Sequence, residues 1–250
     1  MSETPNIPAP SPPAERIFPP WSVGRIVFWI AAGVFLSIAI GALLGVAVVV
    51  LSIWLEGGID ADVGQAAGFL AALLQGPVVF SLTLFLLRRR GFSLGDAWGS
   101  FSLEVRQFGL AALAGVAFMS AADLIIRVFH IEIPPVPALV WDWRLLLATE
   151  ILTTAFMPAF AEELLFRGLL YRAFRLRFSA LDAALFSSLI FTLTHTQYMR
   201  FPFYLAVVFL MGSVCAFLLE RTRSLNSSIA FHFAANATTI TTSYFIHFST

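Results

Sequence analysis

Seven apolar stretches limit what this chain can fold into. They lie near residues 26–55, 66–88, 107–129, 145–176, 181–198, 202–219 and 226–247. A helix needs about 20 apolar residues to cross a hydrocarbon core of about 30 Å. Most of the stretches reach that length; the first is over-long and the fifth short. In lipid only helices and closed barrels satisfy their own backbone hydrogen bonds. The spacing therefore predicts an all-α fold: a polytopic integral membrane helical bundle of about seven transmembrane helices. Composition agrees, because 12% of the 250 residues are charged, where a soluble domain carries about 25%.

Residues 1–20 hold seven prolines. They read as a disordered, polyproline-like leader ahead of a transmembrane domain at 21–250. No basic stretch opens the chain, which argues against a cleavable signal peptide. All 15 basic residues are arginines, scattered over span ends rather than gathered in a patch, so nucleic acid is not an expected partner. Arg16, Arg25, Arg88, Arg89, Arg90, Arg106, Arg172, Arg175, Arg177, Arg221 and Arg223 fall on one side of the seven-span layout. The other side has Arg127, Arg144 and Arg200 with the acidic Glu56, Asp60 and Asp62. By the positive-inside rule the N-terminus is cytoplasmic and the C-terminus outside. Segment 91–104 is too polar to cross and reads as a short helix lying on the membrane surface. The single cysteine, Cys215, excludes an internal disulfide, and a thiol in apolar surroundings is expected to be inert.

Against this background, Glu162, Glu163 and Arg167 stand inside the fourth stretch. An ionisable group at the centre of a membrane helix costs roughly 2.5–3.5 kcal/mol on insertion scales, so it reads as functional by default. Glu163 and Arg167 are four residues apart and predict a pair on one helix face. Glu162 points about 100° away and lacks that partner. Pro158, four residues before Glu162, predicts a kink. Phe191 and His195 are spaced i, i+4 near the end of the fifth stretch, and His232 and Asn236 are spaced likewise in the seventh. Each polar group at that depth needs a partner, and one shared cavity with Glu162 satisfies them all. The set suits water-mediated amide hydrolysis: Glu162 and His195 hold and deprotonate a water, and His232 and Asn236 donate to the oxyanion. A divalent ion such as zinc, held by Glu162, His195 and His232, is the alternative. The blander readings are a structural ion-pair knot for the acidic–basic trio and interhelical glue for His232 with Asn236. Asp123 and Arg127 predict a structural i, i+4 pair, and Asp182 predicts a helix start.

Three motifs in order on the fourth, fifth and seventh stretches, Glu162-Glu163-x-x-x-Arg167, Phe191-x-x-x-His195 and His232-x-x-x-Asn236, resemble the CPBP family. That family contains type II CAAX prenyl endopeptidases and bacteriocin-processing or bacteriocin-immunity proteins. The approach Arg221-Thr222-Arg223-Ser224-Leu225 resembles the family's loop. The likeness covers about 145–247, the expected catalytic core. It implies an intramembrane endopeptidase acting on a membrane-associated or lipid-modified protein, with a bacterial plasma membrane as the expected location. It also implies Glu162 as water-activating glutamate, His195 as the histidine sharing the water, and His232 and Asn236 on the oxyanion side. Glu163 and Arg167 are the supporting pair, and a divalent metal is a possible cofactor. Two other readings stand beside it: a non-catalytic scaffold or immunity protein of the same fold, and a transporter or proton relay.

Overall fold

A computed structural model of the chain describes residues 22–56, 61–99, 104–133 and 143–248. The proline-rich leader lies outside the described residues. The described residues form helices α1 (Val23–Glu56), α2 (Ala61–Arg89), α3 (Leu94–Trp98), α4 (Val105–Phe129), α5 (143–175), α6 (Ala180–Leu193), α7 (Pro202–Thr222) and α8 (Leu225–Phe248). No strand is present among them. Helices stand at all seven apolar stretches. Among the described residues, three helices are long and apolar enough to cross a membrane: Val23–Trp54, Val105–Phe129 and Pro202–Thr222. The expected seven crossings are thus met by three on length and composition. Helix α6 is a shorter apolar helix, α5 carries buried charges, and α8 is rich in Ser, Thr, Asn and His.

Helices α5 and α8 organise the bundle. Helix α8 packs along α4 and α7 and against α5, while α5 also meets α2, α3 and α6. Small residues allow the close approaches, as expected where lipid supplies no hydrophobic drive between helices. A Cβ on Gly115 of α4 would strike the Phe231 carbonyl oxygen of α8 and come within 3.1 Å of Ala234 Cβ.

Helix α5 is not uniformly α-helical. Ile151–Phe156 and Leu164–Tyr171 are π-helical, on either side of the α-helical Met157–Glu163. Pro158 was expected to mark a kink. It stands in the first turn of that middle piece, directly after the first wide turn, so the missing proline N–H falls where the ladder is already changing register.

A short helix, α3, does stand in the segment expected to form one, and it packs onto the bundle through Ala97 and Trp98, both buried. Ser93 caps it: its hydroxyl accepts from Asp96 N, and Asp96 Oδ2 accepts from Ser93 N at 2.6 Å. Trp98 Nε1 donates to Asn226 Oδ1 at 2.9 Å, and Arg172 donates to the Asp96 carbonyl at 2.8 Å. Gly99 takes a positive φ of 84° and bridges to Ser224 at the α7–α8 turn. A side chain there would collide with the Arg223 carbonyl.

Candidate active site

Glu163 of α5 is fully buried, and its Oε1 is the focus of the site. His232 Nδ1 of α8 lies 2.9 Å away and Arg167 NH1, one turn along α5, also 2.9 Å away. A carboxylate only accepts, so Nδ1 of His232 carries a proton and donates it. The arginine contact is an ion pair rather than an aligned hydrogen bond. None of its three side-chain nitrogens has a hydrogen-bond partner among the described residues, and neither has Glu163 Oε2. The guanidinium is held by packing instead. It lies over the Phe191 ring at 4.5 Å, a favourable cation–π contact. Gly212 of α7 makes room for it: a Cβ there would stand 2.8 Å from Arg167 NH2 and 3.2 Å from Phe191 Cδ1.

Glu162 faces the other side of the same imidazole. Its Oε2 is 3.8 Å from His232 Nε2, too long for a direct hydrogen bond, and its side chain keeps 16% of its exposure, whereas Glu163 keeps none. The two adjacent glutamates therefore divide as the helical geometry predicts. Glu163 is locked with Arg167 and the inner edge of His232. Glu162 stands at the more open edge.

His195 is on no helix. Helix α6 ends at Leu193, Thr194 caps it, and His195 opens a short 3-10 turn with φ −90° and ψ 59°. Its Nδ1 donates to the Phe191 carbonyl at 2.9 Å, which fixes the tautomer and leaves Nε2 as acceptor. Its ring centroid is 4.6 Å from Phe191, and that of His232 is 5.9 Å from the same ring. Phe191 is thus a shared wall for both histidines and for Arg167. Asn236 is half-buried one turn beyond His232 on α8.

Cys215, expected to be inert, and Ser228, which no motif singles out, belong to the same neighbourhood. Cys215 of α7 is fully buried beside the glutamate–histidine pair, and ligand atoms of Glu163, Cys215 and His232 lie within 4.8 Å of one another. By type and spacing these three could bind a divalent metal ion. The sequence-derived metal set, Glu162, His195 and His232, forms no such group. Ser228 holds Cys215 in place: its hydroxyl donates to the Cys215 carbonyl at 2.8 Å, and Sγ–H points to the Ser228 carbonyl at 3.7 Å. Nothing in the sequence pattern brings positions 163, 215 and 232 together, because only the packing of α5, α7 and α8 does so. Asp123 is also placed otherwise than expected. It accepts from Thr242 of α8 at 2.9 Å rather than pairing with Arg127.

Comparison with known proteins bears on the same segment. No curated protein matches the chain. Residues 144–238 match the family described as type II CAAX prenyl endopeptidase Rce1-like. The matched stretch runs from α5 to the middle of α8 and contains Glu162, Glu163, Arg167, Phe191, His195, His232 and Asn236. The match falls on the segment that resembles the CPBP family of intramembrane proteases and supports that resemblance.

Proposed function

We propose that this protein is an integral membrane endopeptidase that hydrolyses a peptide bond of a membrane-associated or lipid-modified protein with an activated water. The observation that carries this reading is the asymmetry around His232. One ring nitrogen is committed to the buried Glu163 at 2.9 Å, and the other faces Glu162 across 3.8 Å, which leaves Nε2 and the Glu162 carboxylate together on the more open side of the ring. Glu162 takes the water's proton as the oxygen attacks the carbonyl carbon, and returns it to the leaving amine as the tetrahedral adduct collapses. His195 accepts a hydrogen bond from the same water through Nε2. The oxyanion is met by Asn236 and by His232 Nε2. With Nδ1–H committed to Glu163, Nε2 donates only when the ring carries a second proton. The imidazolium and Arg167 then balance Glu162 and Glu163, two charges against two.

An acyl-enzyme is not part of this reading. Cys215 lies near His232 and Glu163 but keeps no exposed surface on which to meet a carbonyl. No step is routed through zinc, because Glu162, His195 and His232 do not gather as a ligand set. Metal analysis of purified protein, with cleavage measured after chelation, tests that point; activity lost on chelation and restored by zinc would overturn it. We further propose that the N-terminus is cytoplasmic and the C-terminus outside, from the arginine distribution.

The deciding experiment uses the full chain in vesicles with a farnesylated CAAX-type peptide and a membrane peptide library as probes. Glu162→Gln and His195→Ala should each lower cleavage by about 10²–10⁴-fold while the melting transition is kept. Cleavage that survives both replacements would sink the peptidase reading. Proton-coupled flux in the same vesicles, lost with Glu162→Gln, would favour a relay instead.

A further inference from the structure

We propose that Glu163, Cys215 and His232 form a second, inhibitory site for a thiophilic divalent cation of the zinc or cadmium type, buried directly behind the water-activating edge. Three observations point to it. The ligand atoms lie within 4.8 Å of one another on α5, α7 and α8. In a tetrahedral zinc set such atoms stand roughly 3.5 Å apart, so closure asks for a shift of about 1 Å rather than a refolding. Glu163 Oε2 is buried with no hydrogen-bond partner among the described residues, which is a costly state for a carboxylate oxygen and one that a cation relieves. Thiolate, imidazole and carboxylate are together the donor types that this class of ion accepts.

The charges close as well. Binding expels the Cys215 thiol proton and the Nδ1 proton of the His232 imidazolium, and one dication replaces two protons. Glu162, Glu163 and the new thiolate then face the ion and Arg167, three negative charges against three positive. Of the charged groups around the site, Glu162 is the least buried, so entry is assigned to its side. The consequence for catalysis rests on the peptidase reading. His232 becomes a neutral ligand held through its inner nitrogen, so the oxyanion loses its charged donor. The ion acts as an off-switch and not as a cofactor.

Cadmium is the probe, and the full chain in lipid nanodiscs is the sample. Cys215 is the only cysteine, so a sulfur-to-cadmium charge-transfer band in the ultraviolet reports this thiol alone. One cadmium per chain with that band is expected for the wild type. Glu163→Gln and His232→Gln should weaken cadmium binding by at least about tenfold, and Glu162→Gln should leave it in place. Cys215→Ser should lose the band, with its melting transition checking the fold. Cleavage by the wild type should fall as the site fills, whereas Cys215→Ser should keep its own rate on adding cadmium. No band at saturating cadmium, or an affinity unmoved by both Glu163→Gln and His232→Gln, would overturn the site. Absence of cleavage under every condition counts against the peptidase reading alone, because band and stoichiometry are measured without a substrate.

Discussion

Two carboxylate–arginine clusters sit on α5 and contrast sharply. Glu163 and Arg167 keep 0% and 1% of their side-chain exposure. Near the far end of the same helix, Arg175 meets Glu220 of α7 at 3.3 Å with exposures of 33% and 22%, joined by Arg223 at 76% and by the Tyr171 hydroxyl at 2.7 Å. The open cluster ties α5 to α7 with several redundant partners, each of which water can replace. The closed one has no water to fall back on. A buried pair contributes little net stability, but losing one member strands the other, whereas exposed pairs contribute about 0–1 kcal/mol. The molecule thus keeps its expensive ion pair where it orients His232 and its cheap one where it joins helices.

The largest expected effect comes from breaking the closed pair. Arg167→Met should destabilise the fold by about 3–5 kcal/mol, read from reversible unfolding in mixed micelles. The double replacement Glu163→Gln, Arg167→Met should recover most of that loss. Failure to recover would mean that the guanidinium's packing against Phe191, and not a stranded charge, sets the cost. Next comes Gly212→Ala, which pushes a methyl against Arg167 and Phe191 and should cost about 1–3 kcal/mol by overpacking. Trp98→Phe removes the hydrogen bond to Asn226 and should cost about 1 kcal/mol; an unchanged midpoint would show that α3 is held by its other contacts. The smallest effect belongs to the open cluster. Glu220→Gln should cost about 1 kcal/mol or less, and that difference should shrink in high salt. The loss from Arg167→Met should not respond to salt. Similar responses from the two clusters would erase the contrast.

How far the chain could be read in advance follows the same division between local and long-range order. Spacing along one helix was legible: Glu163 with Arg167 is an i, i+4 pair, and Asp182 does stand in the first turn of α6, capped by the Ser179 hydroxyl at 3.2 Å. The same rule pairs Asp123 with Arg127, yet Asp123 accepts from Thr242 of α8, a partner set by long-range packing. The i, i+4 spacing predicts His195 one helical turn beyond Phe191, yet α6 stops first, and the imidazole bonds the Phe191 carbonyl, which also accepts from Thr194 N and Oγ1. Segment 91–104 is too polar to cross a membrane, and its short helix α3 was legible; its anchorage through Trp98 to Asn226 and through the Asp96 carbonyl to Arg172 was not, because those contacts are long-range. Cys215 was set aside on its surroundings, which are apolar in sequence but not in space.

The wide turn from Leu164 to Tyr171 has a consequence for how this protein tolerates change. All eight of its residues are buried, so that part of α5 has no outward side. Along α1, by contrast, the most apolar window of the span has no buried residue. Saturation mutagenesis should therefore give two different traces. Across α1, one hydrophobic residue should exchange for another almost anywhere. Across 164–171, intolerance should run through every position without the helical rise and fall that normally marks one face from the other. The segment behind the glutamates thus has little freedom to drift.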